Sequence, residues 1–222
     1  MIARPLLPAA AAARPRTAIF MSGSGTNAER LLERWTTHDQ ADYEVVALVT
    51  DRPETSRAQA LAAQFGLPLV AHDILAFYRA RGQTRVSLAT CLGQQTRSAW
   101  TAELRRLLAP CRLDFAVFAG FVPLTNLTAD LPCLNVHPGD LLVTQDGQRL
   151  LVGLHDLPVE RALLAGHASL RSSVLLAAPV TGSGGDMDNG TLLGVSAPVP
   201  IQYQGQTPAA LQALAAARPA KR

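Results

Sequence analysis

Short apolar segments alternate with helix-like segments over residues 17 to about 140, and this alternation restricts the possible folds more than any other feature. The apolar segments fall at 17–21, 43–51, 67–72, 114–121 and 133–139. Nearly continuous apolar runs are typical of strands that are buried on both faces of a parallel sheet. Helices between such strands predict an open, doubly wound (Rossmann-like) α/β fold with a mostly parallel sheet.

The pattern changes after residue 140. Asp146-Gly147 separates two apolar segments and predicts a β-hairpin over 141–153. A short helix ending at Gly166, two strands over 172–180 and 191–201, and a last helix over 207–217 complete the prediction. Successive strands imply antiparallel additions in the C-terminal half of the sheet. The expected domains are a disordered tail over 1–16, a main domain over 17–205, and a helix with a loose end over 206–222.

Composition disfavours several kinds of partner. The chain has 222 residues, of which 48% are hydrophobic and 17% charged, as expected for a globular protein with a core. Its apolar runs are shorter than the roughly 20 residues that span a bilayer, so no membrane partner is expected. The net charge is +3, but the basic residues are scattered and aromatic residues make up only 5%, which disfavours nucleic acid.

The cysteines and histidines predict neither a disulfide framework nor a metal. Cys91, Cys111 and Cys133 lie far apart in the sequence, without C-x-x-C spacing, and the histidines form no H-E-x-x-H pattern. A cytoplasmic protein with buried thiols is therefore expected. For residues 1–16 a targeting segment is the alternative to a disordered tail.

A glycine loop follows the first apolar segment and precedes a helix. Gly23, Ser24, Gly25, Thr26 and Asn27 could present backbone N–H groups, next to the helix start, to a phosphate. The same segment, with Ala28, fits the dinucleotide pattern G-x-G-x-x-A, for which Asp51 would hold a ribose. A plain tight turn is a third interpretation, and the loop alone leaves all three open.

Asn135 and His137 end the fifth apolar segment. Residues two apart on a strand face the same side, and ligands of open parallel sheets bind beyond the carboxyl ends of the strands. An asparagine there could donate to a developing oxyanion, and a histidine could move protons; alternatively, both only terminate the strand. The glycine-rich segment 184–190 contains two acids, one of which could orient the imidazole, although such a segment is more often a solvated turn.

The order of these motifs resembles the folate-dependent formyltransferases over about residues 17–200, and most of all those that act on glycinamide ribonucleotide. The resemblance rests on "SGSGTN", "VFAGFVPLT", "LNVHP" and "D-x-G" before a strand. It implies that residues 23–27 bind the substrate's phosphate. It implies catalytic roles for Asn135, His137 and Asp188, and folate contacts by Phe121, Val122, Leu124 and Gly185.

The resemblance also implies a reaction. The amine of a small phosphorylated substrate attacks the formyl carbon of 10-formyltetrahydrofolate, without a metal. Asn135 and protonated His137 stabilise the oxyanion, while Asp188 keeps the imidazole charged and carries the proton through water. Glycinamide ribonucleotide, of purine biosynthesis, is the favoured acceptor, and a monomer or homodimer is expected.

Four departures from the family pattern bear on the acceptor. Residues 139–153 replace a short "SLLP" loop, "RSSVL" lacks the family's histidine, and Val122-Pro123 stands where Met-Arg is usual. The C-terminal "E-H-x-x-Y-P" motif has no counterpart. The alternatives are therefore formylation of another amine (an amino sugar nucleotide or an amino acid derivative), an NAD-dependent oxidoreductase built on the glycine loop and Asp51, and a non-catalytic ligand sensor.

Overall fold

A computed structural model describes residues 7, 14–37, 42–154, 156–181 and 188–217. The contacts divide the chain into two compact units. The first unit comprises Met1–Val136 and Leu176–Thr191, and the second comprises His137–Leu175 and Leu192–Arg222. Most of the tail expected over 1–16 lies outside the described residues, as does Gly185. The predicted domain boundaries stay a prediction.

Strands and helices alternate through the first half of the chain, as the apolar pattern predicts. The strands are β1 (Arg16–Met21), β2 (Glu44–Thr50), β3 (Leu69–Ala71), β4 (Phe115–Phe118), β5 (Cys133–His137), β6 (Thr144–Gln145), β7 (Gln148–Arg149), β8 (Ser169–Leu170), β9 (Ser173–Ala177), β10 (Gly190–Val195) and β11 (Val199–Pro200). The helices are α1 (Thr26–Thr37), α2 (Ala58–Phe65), α3 (Ile74–Arg79), α4 (Cys91–Leu108), α5 (Leu157–Leu164) and α6 (Pro208–Ala216), with 3-10 turns at Ala109–Cys111 and Asn126–Ala129. No helix in these described ranges is long and apolar enough to cross a bilayer.

The main sheet has seven strands in the order β10-β9-β5-β4-β1-β2-β3. β1 pairs in parallel with β2 and with β4, and the parallel pairing continues to β3 on one side and to β5 on the other. The strand order therefore reverses between β1 and β4, the kind of switch point beyond which open α/β sheets bind ligands. Two short antiparallel pairs, β6–β7 and β8–β11, follow in the C-terminal half. The predicted fold class is confirmed.

Two apolar clusters in the first unit account for the continuous apolar sequence of its strands. Ala18 and Phe20 belong to one cluster, while Ile19 and Met21 belong to the other. Successive side chains of a strand point to opposite faces, so β1 is buried from both sides. This burial fixes the strand that leads into the glycine loop.

Local signals in the sequence placed several turns correctly. Gly66 ends α2 in the left-handed conformation that glycine commonly adopts after a helix. Asp146 and Gly147 have φ values of 51° and 76° and join β6 to β7, which confirms the hairpin. The short helix α3 was not predicted; its six residues begin after Asp73, whose carboxylate accepts from the Ala76 N–H at 2.9 Å.

Candidate functional site

The glycine loop connects β1 to α1 in a conformation that needs glycine. Gly25 has φ +69°, and a Cβ there would lie 2.4 Å from Met21 Cε and 2.9 Å from Leu61 Cδ1. Gly23, Ser24, Thr26 and Asn27 are exposed, whereas Gly25 is buried beneath them. The loop therefore presents its outer residues at the start of a twelve-residue helix, where backbone N–H groups and the helix dipole favour an anion.

Arg57 stabilises the glycine loop by hydrogen bonds to its backbone. Its backbone N–H donates to Gly23 O at 3.1 Å, and its guanidinium donates to Ser24 O at 3.3 Å. The same guanidinium pairs with both carboxylate oxygens of Glu29 at 3.0 and 3.1 Å. The ion pair lowers the pKa of Glu29 and raises that of Arg57.

Ser22 joins the glycine loop to the segment after β4. Its backbone N–H donates to Gly120 O at 3.1 Å, and its hydroxyl accepts from the Val122 N–H at 2.9 Å. The hydroxyl in turn donates to Asp51 Oδ1 at 2.5 Å. One small side chain thus ties together the carboxyl ends of β1, β2 and β4. Segments that are about a hundred residues apart in sequence become neighbours at one edge of the sheet.

Asp51 is a buried member of this network. Its exposed fraction is 1%, and its Oδ2 has no hydrogen-bond partner, with Arg52 Nε 3.7 Å away. Burial raises the pKa of Asp51, and the hydrogen bond from Ser22 partly opposes that shift. A carboxylate that is buried and bonded to Ser22 is poorly placed to receive the hydroxyls of a ribose.

Phe121, Val122 and Leu124, the predicted folate contacts after β4, differ in burial. The Phe121 ring is 9% exposed and packs edge-on against Phe20, with centroids 5.2 Å apart. The Leu124 carbonyl accepts from Arg97 Nη1 at 2.6 Å. Arg97 is 8% exposed, and burial lowers its pKa. The ring of Phe121 therefore belongs to the core, while Val122 and Leu124 are half-buried.

Asn135 and His137 lie on β5, as predicted. Asn135 pairs in register with Phe118, the last residue of β4, and therefore lies at the same edge of the sheet as Gly120 and Ser22. His137, in the second unit, is 2% exposed. Its Nε2 lies 2.6 Å from the Leu151 carbonyl oxygen.

Asp188 belongs to the first unit and precedes β10. It is half-buried and has φ +54°, a left-handed conformation that is uncommon for a residue other than glycine. Gly185 and Asp186, the other residues of interest in this segment, lie outside the described residues. The structure therefore fixes the position of one of the two candidate acids.

The first unit also contains a cavity that sequence reasoning missed. It has a volume of about 520 Å³ and is lined by residues 128–132, before β5, by residues 176–179, at the end of β9, and by Gly190 and Thr191. This volume is in the usual range for small-molecule sites. Asp188 is two residues from the lining in sequence. Three segments that are distant in sequence form the cavity, so no local signal marks it.

The described part of the chain contains no group of three or more His, Cys, Asp or Glu side chains arranged to hold a metal ion.

No family model matches the sequence, and no curated protein matches it. In fold, the chain is similar to formyltransferases, which confirms the predicted resemblance at that level. A phosphoribosylglycinamide formyltransferase from Brucella melitensis superposes with a TM-score of 0.64 at 26% identity, covering 92% of this chain and 87% of that one.

A second phosphoribosylglycinamide formyltransferase, from Bacillus halodurans, gives a TM-score of 0.63 at 24% identity, covering 90% of this chain and 86% of that one. A formyltetrahydrofolate deformylase from Burkholderia mallei gives 0.57 at 20% identity, with 90% of this chain and 59% of that one covered. The chain thus shares the fold of these proteins at low sequence identity.

Proposed function

We propose that this protein transfers a formyl group from 10-formyltetrahydrofolate to the amine of a small phosphorylated molecule, with glycinamide ribonucleotide as the favoured acceptor. The observation that carries the proposal is one edge of the sheet. There Ser22 links the glycine loop to the segment after β4, and Asn135 pairs in register with Phe118, the last residue of β4. The likeness in fold to phosphoribosylglycinamide formyltransferases supports the same reaction.

The glycine loop is the proposed phosphate site. Its exposed residues surround the start of α1, and the Arg57–Glu29 pair fixes the loop from outside. A preformed loop loses little conformational entropy when an anion binds, which favours affinity. A phosphorylated amine held there would have its amine directed along the edge towards β5.

The cavity of the first unit is the proposed site for the folate ring system. Its volume of about 520 Å³ suits a flat bicyclic ring, and its lining combines mostly apolar residues with the polar residues Thr128, Asp130 and Thr191. Part of the lining immediately precedes β5, the strand that carries Asn135. Asp188 lies next to the lining in sequence, which suits a residue that acts close to the folate.

The chemistry follows from the residue types. The neutral amine attacks the formyl carbon, so that negative charge develops on the formyl oxygen and positive charge on the attacking nitrogen. Asn135 and protonated His137 donate to that oxygen, as an oxyanion hole does. Asp188 accepts the proton of the attacking nitrogen through water and returns it to N10 of the folate as the carbon–nitrogen bond breaks. The products are a formamide and tetrahydrofolate.

A direct assay tests the proposal. Purified protein is mixed with 10-formyltetrahydrofolate and glycinamide ribonucleotide, and the release of tetrahydrofolate is followed. Asn135→Ala should lower turnover about a hundredfold or more, since one oxyanion donor is lost. Asn126→Ala, which removes an amide outside the proposed mechanism, is the matched control. Turnover with a different phosphorylated amine would reassign the acceptor, whereas absence of both formyl transfer and folate binding would refute the proposal.

The dinucleotide alternative has less support. It requires the Asp51 carboxylate to receive the ribose hydroxyls, but this carboxylate is buried and accepts from Ser22. Titration with NAD is a simple check: binding in the micromolar range or tighter would favour an oxidoreductase.

A further inference from the structure

The imidazole of His137 is held by a backbone carbonyl of the segment that follows the β6–β7 hairpin. His137 Nε2 lies 2.6 Å from Leu151 O, and the Leu151 side chain is fully buried. A carbonyl oxygen only accepts hydrogen bonds, so Nε2 carries a hydrogen whether the ring is neutral or charged. The Leu151 carbonyl therefore fixes Nε2 as a hydrogen-bond donor, and Nδ1 is the nitrogen on the other side of the ring.

Arg161 of α5 fixes the two carbonyls on either side of Leu151. Its Nη1 donates to Val152 O at 2.7 Å and to Leu150 O at 3.2 Å. The Leu150 and Val152 carbonyls therefore point to the Arg161 guanidinium. The Leu151 carbonyl, between them in sequence, points to the His137 imidazole. One charged nitrogen thus determines the direction of the carbonyl that holds His137, and hydrogen bonds from a charged donor are stronger than neutral ones.

The packing leaves this arrangement little freedom. A Cβ at Gly139 would lie 2.3 Å from Leu151 O, 2.8 Å from His137 Nε2 and 2.9 Å from Pro158 Cβ. Ser173 Oγ holds the same turn, because it donates to Gly139 O at 2.7 Å and accepts from the Leu141 N–H at 3.0 Å. The turn at Gly139 thus also restricts the His137 imidazole and the Leu151 carbonyl.

We propose that Arg161 is a positioning residue for His137: it directs the Leu151 carbonyl, which keeps a hydrogen on Nε2 and makes Nδ1 the nitrogen that donates to the formyl oxygen. Arg161 does not touch the substrate in this proposal. The role of Nδ1 in catalysis rests on the proposed formyl transfer, whereas the position of the hydrogen on the His137 ring is a property of the protein without substrate.

The test compares two variants that keep the aliphatic stem of the side chain. Arg161→Met removes all donors, whereas Arg161→Lys retains an ammonium with three hydrogens that can serve both carbonyls. Nitrogen-15 NMR of the imidazoles in the full-length chain, assigned with His137→Gln, reports which ring nitrogen carries the hydrogen. Arg34→Met, which removes an exposed arginine of α1, is the matched control.

The expected result is an Nε2–H ring in the wild type, in Arg161→Lys and in Arg34→Met, and a changed Nε2 signal in Arg161→Met. If formyl transfer is measured, Arg161→Met should lower kcat about tenfold to a hundredfold with little change in KM, because only the orientation of the imidazole is lost. A wild-type ring protonated at Nδ1 alone, or an unchanged signal in Arg161→Met, overturns the proposal. Because NMR needs no substrate, failure to find an acceptor amine leaves this result interpretable.

Discussion

Gly25→Ala tests whether the glycine loop depends on its backbone conformation. Gly25 has φ +69°, and a left-handed conformation costs an L-residue roughly 1–2 kcal/mol. The new Cβ would also lie 2.4 Å from Met21 Cε, in a packed region where excess volume costs about 1–3 kcal/mol. The sum is a loss of about 2–5 kcal/mol in the free energy of unfolding, or a fall in Tm of roughly 4–20 °C for a chain of this size.

Gly23→Ala is the matched control for this measurement. Gly23 has no heavy atom within 4 Å of the position that a Cβ would occupy, and its backbone is not in the left-handed region. Alanine there should leave stability unchanged or raise it slightly, because it reduces the freedom of the unfolded chain. Urea unfolding followed by circular dichroism compares the two variants. If they unfold within about 0.5 kcal/mol of each other, the reasoning about Gly25 is refuted.

Three further predictions concern the polar residues of the site. His137→Asn should keep the fold, checked by circular dichroism, and lower turnover at least about a hundredfold in the formyl-transfer assay; near-normal turnover would remove His137 from the mechanism. Asp51→Asn should raise the urea midpoint at neutral pH, and the gain should shrink as the pH falls through the folded-state pKa of Asp51. Burial raises that pKa, so ionisation of the buried carboxyl costs stability, and a neutral amide at this position avoids the cost. A gain that is constant with pH would contradict this cause. Ser22→Ala should lower the free energy of unfolding in urea by about 1–3 kcal/mol, because Asp51 and the Val122 N–H lose a buried partner. A loss as small as that of an exposed serine would contradict the role of Ser22 in linking the ends of β1, β2 and β4.

Local signals carried the prediction of the fold. The apolar run of β1 is buried on both faces, the glycines that follow it permit the turn, and Asp146-Gly147 closes a two-residue hairpin. Each of these features is decided by a few neighbouring residues, so the sequence displays it directly. The short helix α3 escaped because six residues provide too little periodicity to recognise.

The site was less accessible to such reasoning, because its contacts join distant parts of the chain. The Val122 N–H meets Ser22 Oγ across 100 residues of sequence, and the cavity is built from three separate segments. Resemblance supplied Phe121 as a folate contact, which stays a prediction; it carried no information on packing, and the Phe121 ring is part of the core. Because the Phe121 ring packs against Phe20 of β1, it supports the segment after β4 from the core side.

The longer segment over 139–153, a departure from the family pattern, begins with a glycine that the rest of the segment requires. The segment returns Leu151 to His137, with the carbonyl oxygen 2.6 Å from Nε2. That return leaves no room for a side chain at position 139, where a Cβ would lie 2.3 Å from the same oxygen. A serine, the first residue of the "SLLP" loop that residues 139–153 replace, therefore does not fit at Gly139 in this segment. The glycine and the extension depend on each other, and together they hold the imidazole in place.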